Sequence, residues 1–423
     1  SGSNNWTGGT QIQAGTIRFG VNQALNATGT ATVGIGTGSP AVLDLNNFNY
    51  TAGALTFGGT STTATSQATV LLGTGTLTLG GNLTYTNTGN PQGAVISGTG
   101  AGNVALSAAR TFSIGDSTGV LSNAYELTLN APVTGAFVLT KNGAGNLLLA
   151  GNNTYAGLVV QSTAAGGTVT LTGDNTSVTG TANLSSGTLL LDYTTSNATK
   201  LNSAGALSLL GGTLTLNGNT GANSSQAVAS TTFAAGSYAT VNLNPGAGQG
   251  VLLDLKAITR AAGAGTARFN LPTGAQSVTN GVITTATNDA TTGLVGTGGG
   301  WLTVTSGGET SFATVASGNI IPIVTTMQDA VTNWVPGQNI SDSGGFTGTL
   351  DTETTINSIR FNSSSASNIA ITPGGVLRVE SGGILQTAGA TGATIISGGR
   401  LVGNVGSELI FTTDSASQTL NVS

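Results

Sequence analysis

The chain has no cysteine, no histidine, and only 6% charged residues among 423. Without cysteine there are no disulfides, thiolate metal sites or cysteine nucleophiles, and the redox compartment stays open. Without histidine as well, any catalysis would fall to carboxylates, lysine, tyrosine, serine or threonine. The ten basic residues are scattered, and with net charge −5 they argue against nucleic acid, which is held by clustered Lys and Arg. No run approaches the roughly 18 apolar residues of a spanning helix. No basic segment followed by an apolar one stands at residue 1, so any export signal is expected outside this chain. No alternating C-terminal set of strands demands an outer-membrane barrel.

What is present is glycine, 68 residues of it, with 38% hydrophobic and 5% aromatic residues. Disordered chains pair low hydrophobicity with high net charge, whereas this one has a mean hydropathy of +0.21. Thr, Asn, Ser and Gly supply the polarity in place of ions. Such a chain orders itself through backbone hydrogen bonds and the packing of small residues.

A four-residue pattern with two alternating apolar positions recurs through the first half. It reads TIRF (Ile17), VLDL (Leu43), ALTF (Leu55), TLTL (Leu77), NVAL (Val104), ELTL (Leu127), NLLL (Leu147), TVTL (Val169), TLLL (Leu189) and TLTL (Leu214). From Leu55 onward the steps are 22, 27, 23, 20, 22, 20 and 25 residues. The step from Leu43 to Leu55 is only 12, which reads as a second strand on another side of one turn. Alternation marks half-buried strands, and a spacing near two dozen residues with glycine between strands marks coils of a β-solenoid. Hairpin proteins place turn signals every 8–12 residues, and those look sparse here. At about 22 residues per coil the chain would make roughly 19 coils, stacked about 4.8 Å apart over some 90 Å. Glycine is expected at corners with positive φ, and threonine at outward strand positions.

The phrase Gly151-Asn152-Asn153-Thr154-Tyr155 returns 22 residues later as Gly173-Asp174-Asn175-Thr176-Ser177. The opening SGSNNWTGG repeats its theme with Asn4, Trp6 and Gly8, as Gly157 does after Tyr155. Asparagine at a corner bonds nearby backbone, and stacked asparagines form amide ladders. Ligand binding is the alternative use of these side chains. Recurrence at the coil period favours the corner.

GAGNLLLAGNNTYAG (143–157) and SNNWTGGTQIQAGTIRFG (3–20) resemble the autotransporter-associated β-strand repeat, the passenger-type repeat of exported bacterial surface proteins. TINSIRFNSSSASNIAITPGGVLRVESGGIL (355–385) is similar to the less regular coils that accompany it. The resemblance implies an all-β, right-handed parallel β-helix at the cell surface or outside the cell. It departs from the family at Leu158, where glycine is favoured, and copies degenerate after about residue 220. The family is not defined by one activity.

Three regions are expected: regular coils over 1–220, irregular coils with long loops over 221–358, and terminal coils over 359–423. Within TTMQDAVTNWVPG, the residues Met327, Ala330, Val331 and Trp334 fit helical spacing, Thr326 and Asp329 resemble a capping box, and Pro336 follows. This predicts a short helix near 325–335, capping a flank of the solenoid or docking a partner.

Asp342, Asp351 and Glu353 form the richest local acidic set. They are the candidates for a polysaccharide-cleaving carboxylate pair, or for a calcium ion held by oxygen ligands. The stacked Gly-Gly-x-Gly-x-Asp calcium loop is absent, and GTGGGWL (296–302) lacks the lysine and helix of a phosphate loop. No catalytic residue and no cofactor is expected. Trp301, Trp334 and Phe346 are the candidates for an exposed aromatic stripe on an adhesin that binds surface glycans; packing under loops is their other use. Residue 1 lies inside a repeat, and ELIFTTDSASQTLNVS ends in strand character rather than a polar cap. Bare solenoid ends present unpaired backbone groups. The chain is therefore expected to be part of a longer solenoid or to meet copies of itself head to tail, as a structural rod, stalk or filament.

Overall fold

The computed structural model describes residues 9–25, 30–33, 40–58, 67–87, 92–117, 124–161, 166–234, 238–260, 263–403 and 408–423. The chain divides into two compact units, Ser1–Thr231 with Asn244–Val251 and Thr232–Leu243 with Leu252–Ser423. The fold is an all-β parallel solenoid of about 13 turns.

In the first unit each coil contributes a strand to one face. The series runs Gly15–Arg18, Ala41–Asp44, Ala68–Gly73, Ala94–Gly98, Leu127–Leu129, Leu147–Leu149, Thr168–Leu171, Thr188–Asp192 and Gly212–Asn217. Every neighbouring pair is parallel. The register stacks Ile17, Leu43, Val70, Ile96, Leu129, Leu149, Leu171, Leu191 and Leu216 in one column. Leu43 through Leu216 in that column are fully buried. Burying each such side chain contributes about 1.5–3 kcal/mol, and from Leu127 onward a second buried column, Leu127, Leu147, Val169, Leu189 and Leu214, runs beside it.

A second face is built the same way, from Thr10–Ile12 through Ala54–Phe57, Leu83–Tyr85, Arg110–Ile114, Val138–Asn142, Gly157–Val160 and Ala182–Leu184 to Leu207–Leu209. A third holds Tyr50–Ala52, Thr76–Leu79, Asn103–Leu106 and Val133–Thr134. This redistributes the repeat. Ile17 and Leu43 stack on the first face, Leu55 lies on the second, and Leu77 and Val104 stack on the third; from Leu127 onward every successive copy stacks on the first face. Alternation tells which side of a strand is buried, not which face of the coil the strand joins. Steps along the first column are 26, 27, 26, 33, 20, 22, 20 and 25 residues, longer on average than 22, and the turns number about 13 rather than 19.

The second unit is less uniform. Ala267–Asn270 pairs in parallel with Leu302–Ser306, which then turns back antiparallel through Glu309–Ala316 to Asn319–Pro322. The two turns are Gly307–Gly308 (φ +61° and +86°) and Ser317–Gly318 (φ +49° and +80°). Two successive positive φ values are the signature of the tight hairpin turn whose twist suits antiparallel strands. Ser-Gly-Gly-Glu and Ala-Ser-Gly-Asn thus spelled a meander here, where the sequence reading expected loops and irregular coils.

A second parallel stack follows, with Thr326–Met327, Asn339–Ser341, Ser358–Phe361, Gly383–Gln386 and Ile410–Thr413 on one side. Opposite lie Ser367–Val379, Thr394–Gly403 and Leu420–Val422. Its core gathers Val331, Trp334, Ile340, Phe346, Ile359 and Phe361. The expected helix near 325–335 reduces to one 3-10 turn, Val331–Asn333, after the strand Thr326–Met327. Pairing of Thr326 and Met327 with Ile340 and Ser341 overrides the helical spacing, leaving Met327 exposed while Val331 and Trp334 pack inward.

Candidate functional site

The recurrent asparagine phrase sits where the third face would have gained its next strand. Thr154 N–H donates to Val133 O at 2.9 Å, and Val133 N–H donates to Asn153 Oδ1 at 2.8 Å. A side-chain amide here replaces a backbone carbonyl, so the coil keeps its hydrogen bonds without spending residues on a strand. From this point coils shorten to 20–25 residues.

Asn153 Nδ2 donates to Gly151 O at 2.9 Å and to Asn175 Oδ1, one coil on, at 2.8 Å. Asn175 Nδ2 in turn reaches Gly173 O at 3.3 Å. Both asparagines are buried, as polar groups can be when every donor and acceptor is satisfied. Outside them, Asn152 Oδ1 accepts the Asp174 N–H at 2.9 Å, and Asp174 Oδ1 accepts Thr176 N–H at 2.9 Å. Tyr155 closes the corner inward; burial alone pushes its phenol far above its ordinary pKa. Asn4, Trp6 and Gly8 lie outside the described residues.

The glycines of this phrase serve close approach rather than positive φ. A Cβ on Gly173 would lie 2.1 Å from Gly151 O, and one on Gly151 would lie 2.4 Å from Pro132 N. Gly157 is looser, with Thr181 O at 3.2 Å. None of the three is among the positive-φ residues, so the expectation of left-handed corners is corrected for them. Coil-to-coil contact excludes the side chain.

An earlier ladder, absent from the sequence reading, follows the same logic. Asn22 Oδ1 accepts Asn49 N–H (2.8 Å), and Asn49 Oδ1 accepts Thr76 N–H (2.9 Å). Asn103 Nδ2 then donates to Thr76 Oγ1 (3.2 Å), and Thr134 Oγ1 donates to Asn103 Oδ1 (3.1 Å). Its first three steps of 27 residues could have revealed it.

Two lysines are buried in the first unit. Lys200 Nζ donates to Thr172 O (2.6 Å) and Ser196 O (3.1 Å), with the Tyr193 ring centroid 5.1 Å away. Burial lowers its pKa, and Asp192 and Asp174 partly oppose that. Lys141 donates to Gly143 O; burial brings its pKa down to about 8, with Glu126 opposing. Gln226 ties this region together, accepting from Tyr193 OH (2.8 Å) and Leu201 N–H (2.9 Å) and donating to Leu201 O (2.8 Å). At 0% exposure neither lysine meets a substrate. Both bind backbone carbonyls inside the solenoid.

The acidic candidates do not converge. Asp342 is buried, with Oδ1 accepting the N–H groups of Asn362 (2.6 Å) and Ser363 (3.0 Å), and Oδ2 accepting Ser367 Oγ–H (2.7 Å). Asp351 is exposed, and the half-exposed Glu353 pairs with Arg378 at 2.8 Å. Among the described residues no group of three or more acids could hold a metal ion. Asp342 instead joins successive coils, the same job the asparagine ladder does in the first unit.

The three aromatics proposed as surface contacts are likewise corrected: Trp301, Trp334 and Phe346 are 3%, 6% and 0% exposed. Trp334 and Phe346 meet edge to face at 5.1 Å, and Phe346 meets Phe361 at 5.1 Å. The Trp334 indole N–H donates to Gln328 O at 3.1 Å. Trp301 packs on Phe233 at 5.0 Å. Large rings are the side chains that gain most from such burial.

Stacked parallel coils joined by amide ladders define a repeat protein of the β-solenoid class. Residues 1–19 and 139–162 match the Passenger-associated-transport-repeat. The second match contains GAGNLLLAGNNTYAG, so the resemblance read from that phrase is borne out. No curated protein and no solved structure matches the chain. No helix among the described residues is long and apolar enough to cross a membrane.

Proposed function

We propose that this chain is a structural solenoid of an exported bacterial surface protein, working as a rod, stalk or filament module rather than as an enzyme. The observation that carries the reading is the unbroken column from Ile17 to Leu216, in which each coil is template for the next. Parallel stacking of this kind propagates without a globular core, because a coil needs only its neighbours. The same backbone pairing that joins coils within a chain can join coils of two chains head to tail, the arrangement that yields open filaments. With 6% charged residues, little repulsion opposes that approach. The passenger-type repeat supports placement at or beyond the cell surface. Negative-stain electron microscopy of the purified protein tests the assembly step. Thin fibres that lengthen with concentration are expected; dispersed single particles at the highest soluble concentration would remove filament formation from the proposal.

A further inference from the structure

Within the second unit, the second stack lies beside the coils that precede it rather than continuing them. Its strands form sheets of their own, and among the described residues none pairs with a strand of the earlier coils. Side chains make the crossing instead. Asn339 Nδ2 donates to Thr292 O (3.0 Å) and Asn357 Nδ2 to Thr291 O (3.1 Å). Arg360, on the next strand, donates through Nε to Thr310 O (2.7 Å) and pairs with Glu309 at 2.7 Å. One rung further, a Cβ on Gly383 would lie 2.8 Å from Gly300 Cα. In the last rung Glu408 pairs with Arg260 at 2.5 Å, and Asp414 pairs with Arg268. As the second stack advances, its contacts retreat from the meander strand Glu309–Ala316 to the coil strands Ala267–Asn270 and Ala257–Arg260. The stack is folded back along the coils it came from.

Charge is scarce in this chain, and the seam draws on it heavily. Arg260–Glu408, Arg268–Asp414 and Arg360–Glu309 all cross it, whereas the other ion pairs among the described residues stay within one coil or join neighbouring coils. Apolar contact across the seam is small: Leu385 meets Leu294 and Phe312, with Ile323 packed against them. The core inside the second stack, from Val331 to Ile396, is far larger. A seam that is mostly polar, with no shared sheet, lets the parts it joins move as bodies.

We propose that the second stack is an arm, latched side-on to the earlier coils of its unit by these arginine–carboxylate pairs, and that it swings off as one body while its own rungs stay paired. Opening uncovers Leu294, Phe312 and Leu385 and leaves Ile359 and Ile384 buried in the arm. The arm is independent of filament formation, since a solitary chain would open in the same way.

The test uses the absence of cysteine and two neighbours on the strand Gly383–Gln386. Leu385 faces the seam and Ile384 faces the core of the arm, both at 0% exposure. The thiol introduced by Leu385→Cys or, separately, by Ile384→Cys reacts with a soluble disulfide reagent only when it is uncovered. In the full chain, Leu385→Cys is expected to be labelled at least about tenfold faster than Ile384→Cys, because the seam opens more readily than the arm unfolds. Arg268→Glu sets a carboxylate against Asp414 and should speed labelling of Leu385→Cys about tenfold, with Ile384→Cys unchanged. Adding Asp414→Arg restores the pair with its charges exchanged and should bring back the slow rate. The proposal is overturned if the two thiols react at one rate, if Arg268→Glu leaves Leu385→Cys unchanged or speeds both alike, or if adding Asp414→Arg fails to slow the reaction again.

Discussion

Replacing Asn153 by alanine tests whether a buried amide ladder holds the coils in place of a third strand. Asn153 is 1% exposed, and its side chain serves Val133 N–H, Gly151 O and Asn175 Oδ1 at 2.8–2.9 Å. Asn153→Ala leaves all three facing a methyl group. Each buried group left unsatisfied costs about 1–3 kcal/mol. A water entering the vacated space relieves part of that, so a loss of about 3–5 kcal/mol is expected. Asn175→Ala removes less, one bond of 2.8 Å and one of 3.3 Å, while Asn153 keeps Gly151 and Val133. About 1–2 kcal/mol is expected there. Stacked repeats do not unfold as one unit, so the assay is native-state hydrogen exchange rather than a melting temperature. The Val133 amide is the reporter, since its acceptor is the Asn153 side chain. Its protection should collapse in Asn153→Ala and survive in Asn175→Ala. A loss below about 1 kcal/mol for Asn153→Ala, or equal losses for the two variants, would refute the ladder.

Two further outcomes rest on the same packing. Gly173→Ala places a methyl 2.1 Å from Gly151 O and should destabilise its coil by about 2–3 kcal/mol, whereas Gly157→Ala, with 3.2 Å to Thr181 O, should cost less than about 1 kcal/mol; comparable exchange protection around both sites would contradict the close-approach argument. Lys141 binds its proton less tightly folded, with a pKa of about 8, than at its ordinary value of 10.5. Between those values the unfolded chain holds more protons, so this group makes stability rise with pH from about 8 toward 10. Below pH 8 it is charged in both states and adds no slope. Above about pH 10 the effect reverses for Tyr50 and Tyr85, whose folded pKa values are pushed up to about 12 by burial, because the unfolded tyrosines ionise first. The opening free energy from native-state exchange at the Gln161 amide, which donates to Lys141 O at 3.0 Å, should climb more steeply from about pH 7 to 10 in the parent than in Lys141→Met; parallel curves would show that Lys141 titrates normally.

Much of the corner was legible in the chain. The 22-residue return of Asn153 at Asn175 reflects a real coil, because a ladder needs like residues at like positions. Alternation at Leu127, Leu147, Val169, Leu189 and Leu214 correctly marked buried strands stacked in register. The candidate site residues of the second half were harder. Asp342 looks like any acidic residue until Asn362, Ser363 and Ser367 are brought around it from 20 to 25 positions away. Trp301 and Trp334 read alike as exposed or packed rings. Only the fold packs both inward, Trp334 against Phe346 and Trp301 against Phe233.

By itself the sequence determined that this chain would be built of short strands, half-buried and stacked as coils, since a low-charge, glycine-rich chain with recurrent alternation can satisfy its backbone in few other ways. Which face each strand joins was decided by the tertiary structure, and so was the replacement of a third strand by an asparagine corner. So too were the antiparallel meander and the choice of strand over helix at Thr326–Met327. The reason is physical: alternation is a local property of one strand, whereas register, face and closeness of approach belong to pairs of coils.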